Sequence, residues 1–125
     1  MASETDTGRK GEFLASYILE TFGVEVHHVS RDGADLWCKT PSGRILTVDV
    51  KSASRVQRKS QKSPRYAYHT PKTVPVDFYA FVALDKRLLL IKEWTSVKTV
   101  STSIKAEAFT EEAQRRTIEE MIAAC

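Results

Sequence analysis

The chain has 125 residues, of which 42% are hydrophobic and 28% charged, and its formal net charge is +3. This length and composition are typical of one soluble globular domain and exclude a fibrous or disordered chain. No apolar run approaches the roughly 20 residues that a membrane helix needs, and the polar N-terminus has no apolar secretory segment. The cysteines, Cys38 and Cys125, lack the spacing of a zinc site. We therefore expect a single cytoplasmic domain over residues 1–125 without a membrane partner.

Apolar residues at helical spacing predict a first helix over residues 8–22. Asp6 or Thr7 is suited to cap its start, and Gly23 is suited to end it. A second face of this helix would let a backbone or a ligand approach closely, because it carries small residues beside one acid: Gly8, Gly11, Glu12 and Ala15.

Runs of β-branched and aromatic residues predict strands over residues 24–29, 34–40, 44–51, 76–84 and 88–91, with 66–70 extended. The segment 52–71 fits a loop, a short helix near 55–62, or both, and residues 96–105 give no clear signal. A last helix is predicted over 110–124, capped by Thr110, and its thin apolar stripe fits a helix that covers a sheet edge or meets a partner subunit. This order predicts an α/β domain with a central mixed sheet flanked by helices.

The most specific local signal is the Pro-Ser-Gly sequence at residues 41–43, between two strand-like runs. Proline suits the first position of a turn and glycine suits a later position with positive φ, as in a three-residue hairpin loop. A loop centred on Ser42 places Asp35 opposite Asp49 across the two strands.

This register gathers charge on one face of the hairpin. Because side chains alternate along a strand, Asp35, Trp37, Asp49 and Lys51 share one face, and the other face is apolar. The opposed carboxylates would have Cβ atoms about 5 Å apart and would repel each other without a cation. Mg²⁺, which is commonly held by one or two carboxylates, is the expected cofactor, with Mn²⁺ as an alternative.

Lys51 lies on that face two residues after Asp49. An ammonium group there can orient an attacking water or stabilise negative charge that develops on a phosphate. The competing interpretation is an ordinary surface hairpin in which Lys51 bridges a carboxylate, because Asp-x-Lys is common by itself. The same-face Asp35 on the partner strand favours a catalytic site.

Three segments together resemble the PD-(D/E)XK nuclease superfamily: Gly-Glu-Phe-Leu-Ala at 11–15, Gly-Ala-Asp-Leu at 33–36 and Val-Asp-Val-Lys-Ser at 48–52. That superfamily includes restriction enzymes, archaeal-type Holliday junction resolvases and some homing endonucleases. The resemblance covers about residues 8–90. It implies a restriction-endonuclease-like αβββαβ core and a metal-dependent DNA endonuclease of phage or intron type, in a bacterial or phage-infected cell.

The resemblance assigns Asp35 to the motif Asp, Asp49 to the (D/E) position and Lys51 to the motif Lys, with Glu12 as a further acid near the metal. An exposed helix-start acid is the competing interpretation of Glu12. Ala34 stands where the motif usually has Pro, and residues 52–75 show no clear second core helix. A Holliday junction resolvase and a non-catalytic nucleic-acid-binding module are the alternative functions on this fold.

The expected DNA contacts lie in the segment after Lys51, where residues 50–76 contain seven basic side chains and no acid. Such a stretch suggests a polyanion-binding surface, although a solvated loop gives the same pattern. The candidates for phosphate contact or base stacking are Arg55, Arg58, Lys59, Lys62, Arg65, Tyr68, His69 and Lys72. An edge-strand tyrosine packed on the body is the competing interpretation of Tyr68. Because a small subunit would carry one site, cutting both DNA strands predicts a homodimer or higher homo-oligomer.

Overall fold

The computed structural model describes residues 4–31, 34–57, 63–72 and 74–124. Helix α1 (Glu4–Thr21) opens the described part of the chain, and helix α2 (Glu111–Ala123) closes it. Short 3-10 turns lie at Trp94–Ser96 and Ala106–Ala108. The strands between the helices are β1 (Glu25–Arg31), β2 (Ala34–Lys39), β3 (Ile45–Ala53), β4 (Arg65–His69), β5 (Phe78–Ala83), β6 (Leu88–Glu93) and β7 (Ser101–Lys105).

Five strands form a mixed sheet in the order β1-β2-β3-β5-β6. β3 and β5 are parallel, and the other neighbours in this sheet are antiparallel. β4 and β7 form a separate antiparallel pair, which we call the ribbon. The predicted central mixed sheet flanked by helices is thus confirmed. Among the described residues between β3 and β5, however, β4 occupies the place where an αβββαβ core would have its second helix.

The two faces of the mixed sheet are covered by different elements. Both helices pack on one face, where Leu19 of α1 and Ile118 of α2 join the core that contains Val48. The ribbon packs on the other face, where Tyr66 and Phe81 belong to a second core. No helix in the described ranges is long and apolar enough to cross a membrane.

Helix α2 covers an edge of the sheet, as one interpretation of its thin apolar stripe predicted. Its start is capped by Thr110, whose side-chain oxygen accepts a hydrogen bond from Ala113 N at 3.0 Å. Gln114 and Thr117 accept hydrogen bonds from backbone N–H groups of the edge strand β6, at 3.0 Å and 3.1 Å. These side chains satisfy donors that an uncovered edge strand would expose.

The sequence predictions missed two features. Helix α1 begins at Glu4, so Asp6 and Thr7 lie within it and are not its cap. Strand β7 lies in residues 96–105, for which there was no clear signal in the sequence. It forms a strand through its pairing with β4, more than 30 residues earlier, and such a distant partner cannot be read from the local sequence. The short helix weighed near residues 55–62 falls partly outside the described residues, and residues 54–57 are not helical.

Helix α1 approaches β3 most closely at Gly11. A Cβ atom added there would stand 1.6 Å from Ser52 Oγ and 2.7 Å from Ser52 Cβ, whereas a Cβ added at Gly8 would meet nothing within 4 Å. Packing therefore requires glycine at position 11. At position 8 it does not, and glycine there only weakens the helix.

We predict opposite effects of alanine at these two glycines. Gly11→Ala should lower the free energy of unfolding by about 1–3 kcal/mol, because the new methyl group displaces α1 from β3. Gly8→Ala should raise it by about 0.5–1 kcal/mol through helix propensity. Urea unfolding followed by circular dichroism measures both, and equal effects at the two positions would contradict the close packing at Gly11.

Candidate active site

The β2–β3 hairpin has the register that its turn sequence predicts. Gly43 has a φ of +93°, and Trp37 pairs with Thr47. Counting outward from that pair brings Asp35 level with Asp49 on the same face of the sheet. Local turn chemistry and strand alternation therefore bring the two acids together.

The two carboxyl groups are half-buried and interact with each other. Asp35 Oδ2 accepts a hydrogen bond from the backbone N–H of Val50 at 2.7 Å, which turns this carboxylate toward β3. Lys51 Nζ lies 3.4 Å from Asp49 Oδ2. Burial, followed by hydrogen bonding to Asp35, raises the pKa of Asp49 to about 7, while the Lys51 charge opposes the rise. The protein surroundings, including Lys51, therefore do not fully stabilise the ionised form of Asp49 beside Asp35.

Glu12 is a third acid beside this pair. It lies on α1 directly after Gly11, where the helix comes closest to β3. Burial and then the negative charge of Asp35 raise the pKa of the half-buried Glu12 carboxyl. The close helix–strand packing therefore places Glu12 within the electrostatic reach of Asp35.

His28 on β1 contacts Glu12 and was not singled out from the sequence. Its Nδ1 lies 3.8 Å from Glu12 Oε1, and its Nε2 lies 2.9 Å from Ser16 Oγ. His27 faces the other way and contacts Glu25 at 2.6 Å, as expected for neighbouring strand residues. Glu12 and Ser16 are four residues apart and therefore share one face of α1, which the sequence shows. The contact of His28 with both of them depends on the packing of α1 on β1, which the sequence does not show.

The donor set fits a divalent cation, although the described residues contain no group of three His, Cys, Asp or Glu side chains already arranged to hold one. Asp35 and Asp49 offer carboxylate oxygens from neighbouring strands on the same face of the hairpin. One or two carboxylates, completed by waters and substrate phosphate, are the usual protein ligands of Mg²⁺. A cation would also favour the ionised form of Asp49, whose pKa is raised by burial and then by its interaction with Asp35.

A cleft of about 740 Å³ opens beside Lys51, between the start of α1 and strand β4. Arg55, Gln57 and His69 contribute polar groups to its lining, and all three are exposed. Its volume lies in the range of protein ligand sites. A polyanion in this cleft would meet positive charge next to the two aspartates.

The residues expected to contact DNA differ in where they lie in the structure. Arg55 and His69 line the cleft, and Arg65 is half-buried at the start of β4. The expected contacts Arg58, Lys59 and Lys62 lie outside the described residues.

Two of the expected DNA contacts make packing contacts within the protein. Tyr68 is buried, and its hydroxyl donates a hydrogen bond to Val82 O at 3.0 Å. The Lys72 ammonium donates to Trp94 O and lies 3.9 Å from the centre of the Trp94 ring. Both side chains thus help to pack the ribbon face of the sheet, and Tyr68 also lines the cleft, so their contact with DNA stays a prediction.

The fold is similar to that of a bacterial homing endonuclease, I-Ssp6803I. The two superpose with a TM-score of 0.69 at 20% sequence identity, over 83% of this chain and 76% of that one. No protein-family model matches the chain, and no curated protein matches it. The likeness at this level of identity establishes the fold.

We predict that the raised pKa of Asp49 makes the metal-free protein less stable as pH rises. In the unfolded chain this carboxyl ionises near its ordinary pKa of 3.8, whereas in the folded protein it stays protonated until pH approaches about 7. The stability that it contributes is present below about pH 4 and is lost as pH rises through about 7. Asp49→Asn removes this dependence and should be roughly 1–3 kcal/mol more stable than the wild type at pH 8.

Urea unfolding in EDTA at several pH values measures the difference between the two proteins. A difference that stays constant from pH 4 to pH 8 would contradict the raised pKa of Asp49, because titrating groups remote from the site contribute equally to both curves.

Proposed function

We propose that this chain is a Mg²⁺-dependent DNA endonuclease of the PD-(D/E)XK type. The observation that carries the proposal is the placement of Asp35 level with Asp49 on one face of a hairpin, with the Lys51 ammonium 3.4 Å from Asp49 Oδ2. The similarity of the fold to a homing endonuclease supports the same class of reaction. A purely structural hairpin would gain nothing from opposing two half-buried acids.

Asp35 and Asp49 would hold the cation, and Glu12 would approach it from α1. When bound, the ion would polarise the scissile phosphate and lower the pKa of a bound water. Asp49 and Glu12 are needed in their ionised forms for this, and the ion itself would favour those forms by lowering the raised pKa values of the two groups. Mn²⁺, which accepts the same oxygen donors, should substitute for Mg²⁺.

Lys51 would orient the water that attacks phosphorus. Its ammonium lies on the Asp49 side of the site and also faces the cleft, so it can contact both the water and a phosphate oxygen. The water oxygen bonds to phosphorus as the phosphorus–oxygen bond to the leaving strand breaks. The attacking water gives up one proton to solvent, and the leaving oxygen takes up one proton from solvent. The positive charge of Lys51 stabilises the negative charge that grows on the phosphate during this exchange.

The cleft beside Lys51 would hold the DNA backbone. Arg55 and His69 line it, and we propose that Arg58, Lys59, Lys62 and Arg65 add phosphate contacts. Such contacts position the duplex and make its binding sensitive to salt. Because each chain would supply one site, we propose that two or more copies assemble to cut both strands.

We predict that the wild type cuts plasmid DNA with Mg²⁺ or Mn²⁺ and not with EDTA. Lys51→Ala and Asp49→Ala should each lower the cleavage rate by about 100-fold or more, because they remove charge stabilisation or a metal ligand. Gel analysis of plasmid and linear duplex measures the rates, and a four-way junction substrate tests for a resolvase.

Lys39→Ala is the matched control for Lys51→Ala. Lys39 is exposed at the far end of β2, and its loss should leave the rate within about twofold. DNA binding without cleavage in either metal would favour a non-catalytic binding module. Faster cutting of junctions than of linear duplex would favour a resolvase.

We also predict a metal-binding signature that does not depend on cleavage. At pH 8, Mg²⁺ or Mn²⁺ should raise the melting temperature of the wild type, because binding to the folded protein relieves the repulsion between Asp35 and Asp49. The same ions should leave Asp49→Asn unchanged, and isothermal titration of Mn²⁺ should give heat with the wild type alone. Equal shifts in the two proteins would place the metal elsewhere.

A further inference from the structure

The ribbon presents an exposed face of unusual composition. The side chains of Tyr66 and Ile104 point into the second core, so the alternate positions of both strands face outward. Ala67 pairs with Ser103 and His69 pairs with Ser101 on this outer face, and all four residues are exposed. These side chains are small or polar.

The charge of this face is complementary to nucleic acid. Strand β4 lies within the basic segment and begins with Arg65, which pairs with Lys105 of β7, and neither strand contains an acid. Gln57 adds an exposed amide alongside, because its backbone N–H donates to Arg65 O at 2.8 Å. The face is therefore polar and basic, without a patch of large apolar side chains that would indicate a protein partner.

The outer face of the ribbon is continuous with the cleft of the candidate active site. A hollow of about 470 Å³ over the ribbon is lined by Gln57, Ala67, His69, Ser101 and Ser103. Gln57, Ala67 and His69 also line the cleft beside Lys51. A duplex whose backbone entered the cleft would thus extend across the ribbon.

We propose that the outer face of the ribbon reads base sequence in the DNA major groove. This inference rests on the proposed endonuclease function and adds the surface that would select the substrate. The major groove is about 12 Å wide and admits a two-stranded ribbon. Five residues at about 3.3 Å each span roughly 16 Å, which corresponds to about four or five base pairs.

The side chains suit this role. Ser101 and Ser103 can each donate or accept a hydrogen bond at a base edge. The side-chain amide of Gln57 can pair with adenine by accepting through its oxygen and donating through its NH2 group. Ala67 allows the backbone to approach the floor of the groove. Arg65 and Lys105 lie at the end of the ribbon where they can contact phosphate or guanine.

Selection of bound sequences tests the proposal without requiring catalysis. Full-length protein in EDTA is mixed with duplexes that carry a randomised segment, and the bound fraction is sequenced. The wild type should enrich one motif that includes a run of about four or five base pairs. The double variant Ser101→Ala/Ser103→Ala should lose about 10-fold of the discrimination within that run, because serine contacts to bases are removed.

Two controls distinguish reading of bases from general binding. Arg55→Ala should weaken binding to all sequences equally and keep the motif, because its contact is to phosphate. Arg116→Ala should change nothing, because Arg116 lies on the exposed side of α2, across the sheet from the ribbon. Melting temperatures of the variants verify that these surface changes leave the fold intact.

The outcomes separate this inference from the proposed function. A motif that is flattened in the serine double variant and retained in Arg55→Ala supports the ribbon as the reading surface. A wild type that binds without preference, or a double variant that keeps the full motif, overturns the ribbon assignment while metal-dependent cleavage still tests the nuclease. A protein that binds no duplex and cuts none overturns both.

Discussion

The register of the β2–β3 hairpin is the constraint on which the candidate site depends. A slip of one residue would send Asp49 into the helix-covered core and bring Val50 to the charged face. The buried side chains of Leu36 and Val48, which pair across the hairpin, oppose such a slip. The hydrophobic core therefore aligns Asp35 with Asp49 even though their charges repel.

The alignment makes two carboxyl groups harder to ionise. Burial raises the pKa of both Asp49 and Glu12, and Asp35 contributes to each rise. Both acids would ionise more readily around a divalent ion, which would couple metal binding to the protonation of the protein. Gly11 matters here because it lets α1 hold Glu12 close to the hairpin.

The two faces of the mixed sheet are covered by different elements, which contribute differently to the proposed site. The helices on one face build the core that supports the hairpin, and the ribbon on the other face extends the basic cleft. Tyr68 and His69 are neighbours in β4, yet one is buried and the other lies in the cleft. Lys72 likewise supports the ribbon face through Trp94. Neighbouring residues of the basic segment thus have different roles: some pack against the sheet, and others form the proposed DNA surface.

The sequence by itself was enough for the features that depend on near neighbours. Turn chemistry at residues 41–43 and strand alternation predicted the hairpin, its register and the common face of Asp35, Asp49 and Lys51, and helical spacing predicted α1 and α2. Contacts between distant segments decided the rest: the pairing of β4 with β7 determined that Tyr68 is buried and His69 exposed, and the packing of α1 on β1 brought His28 to Glu12. A single strand carries its alternation in its own sequence, but which of its faces becomes core is decided by the elements that pack on it.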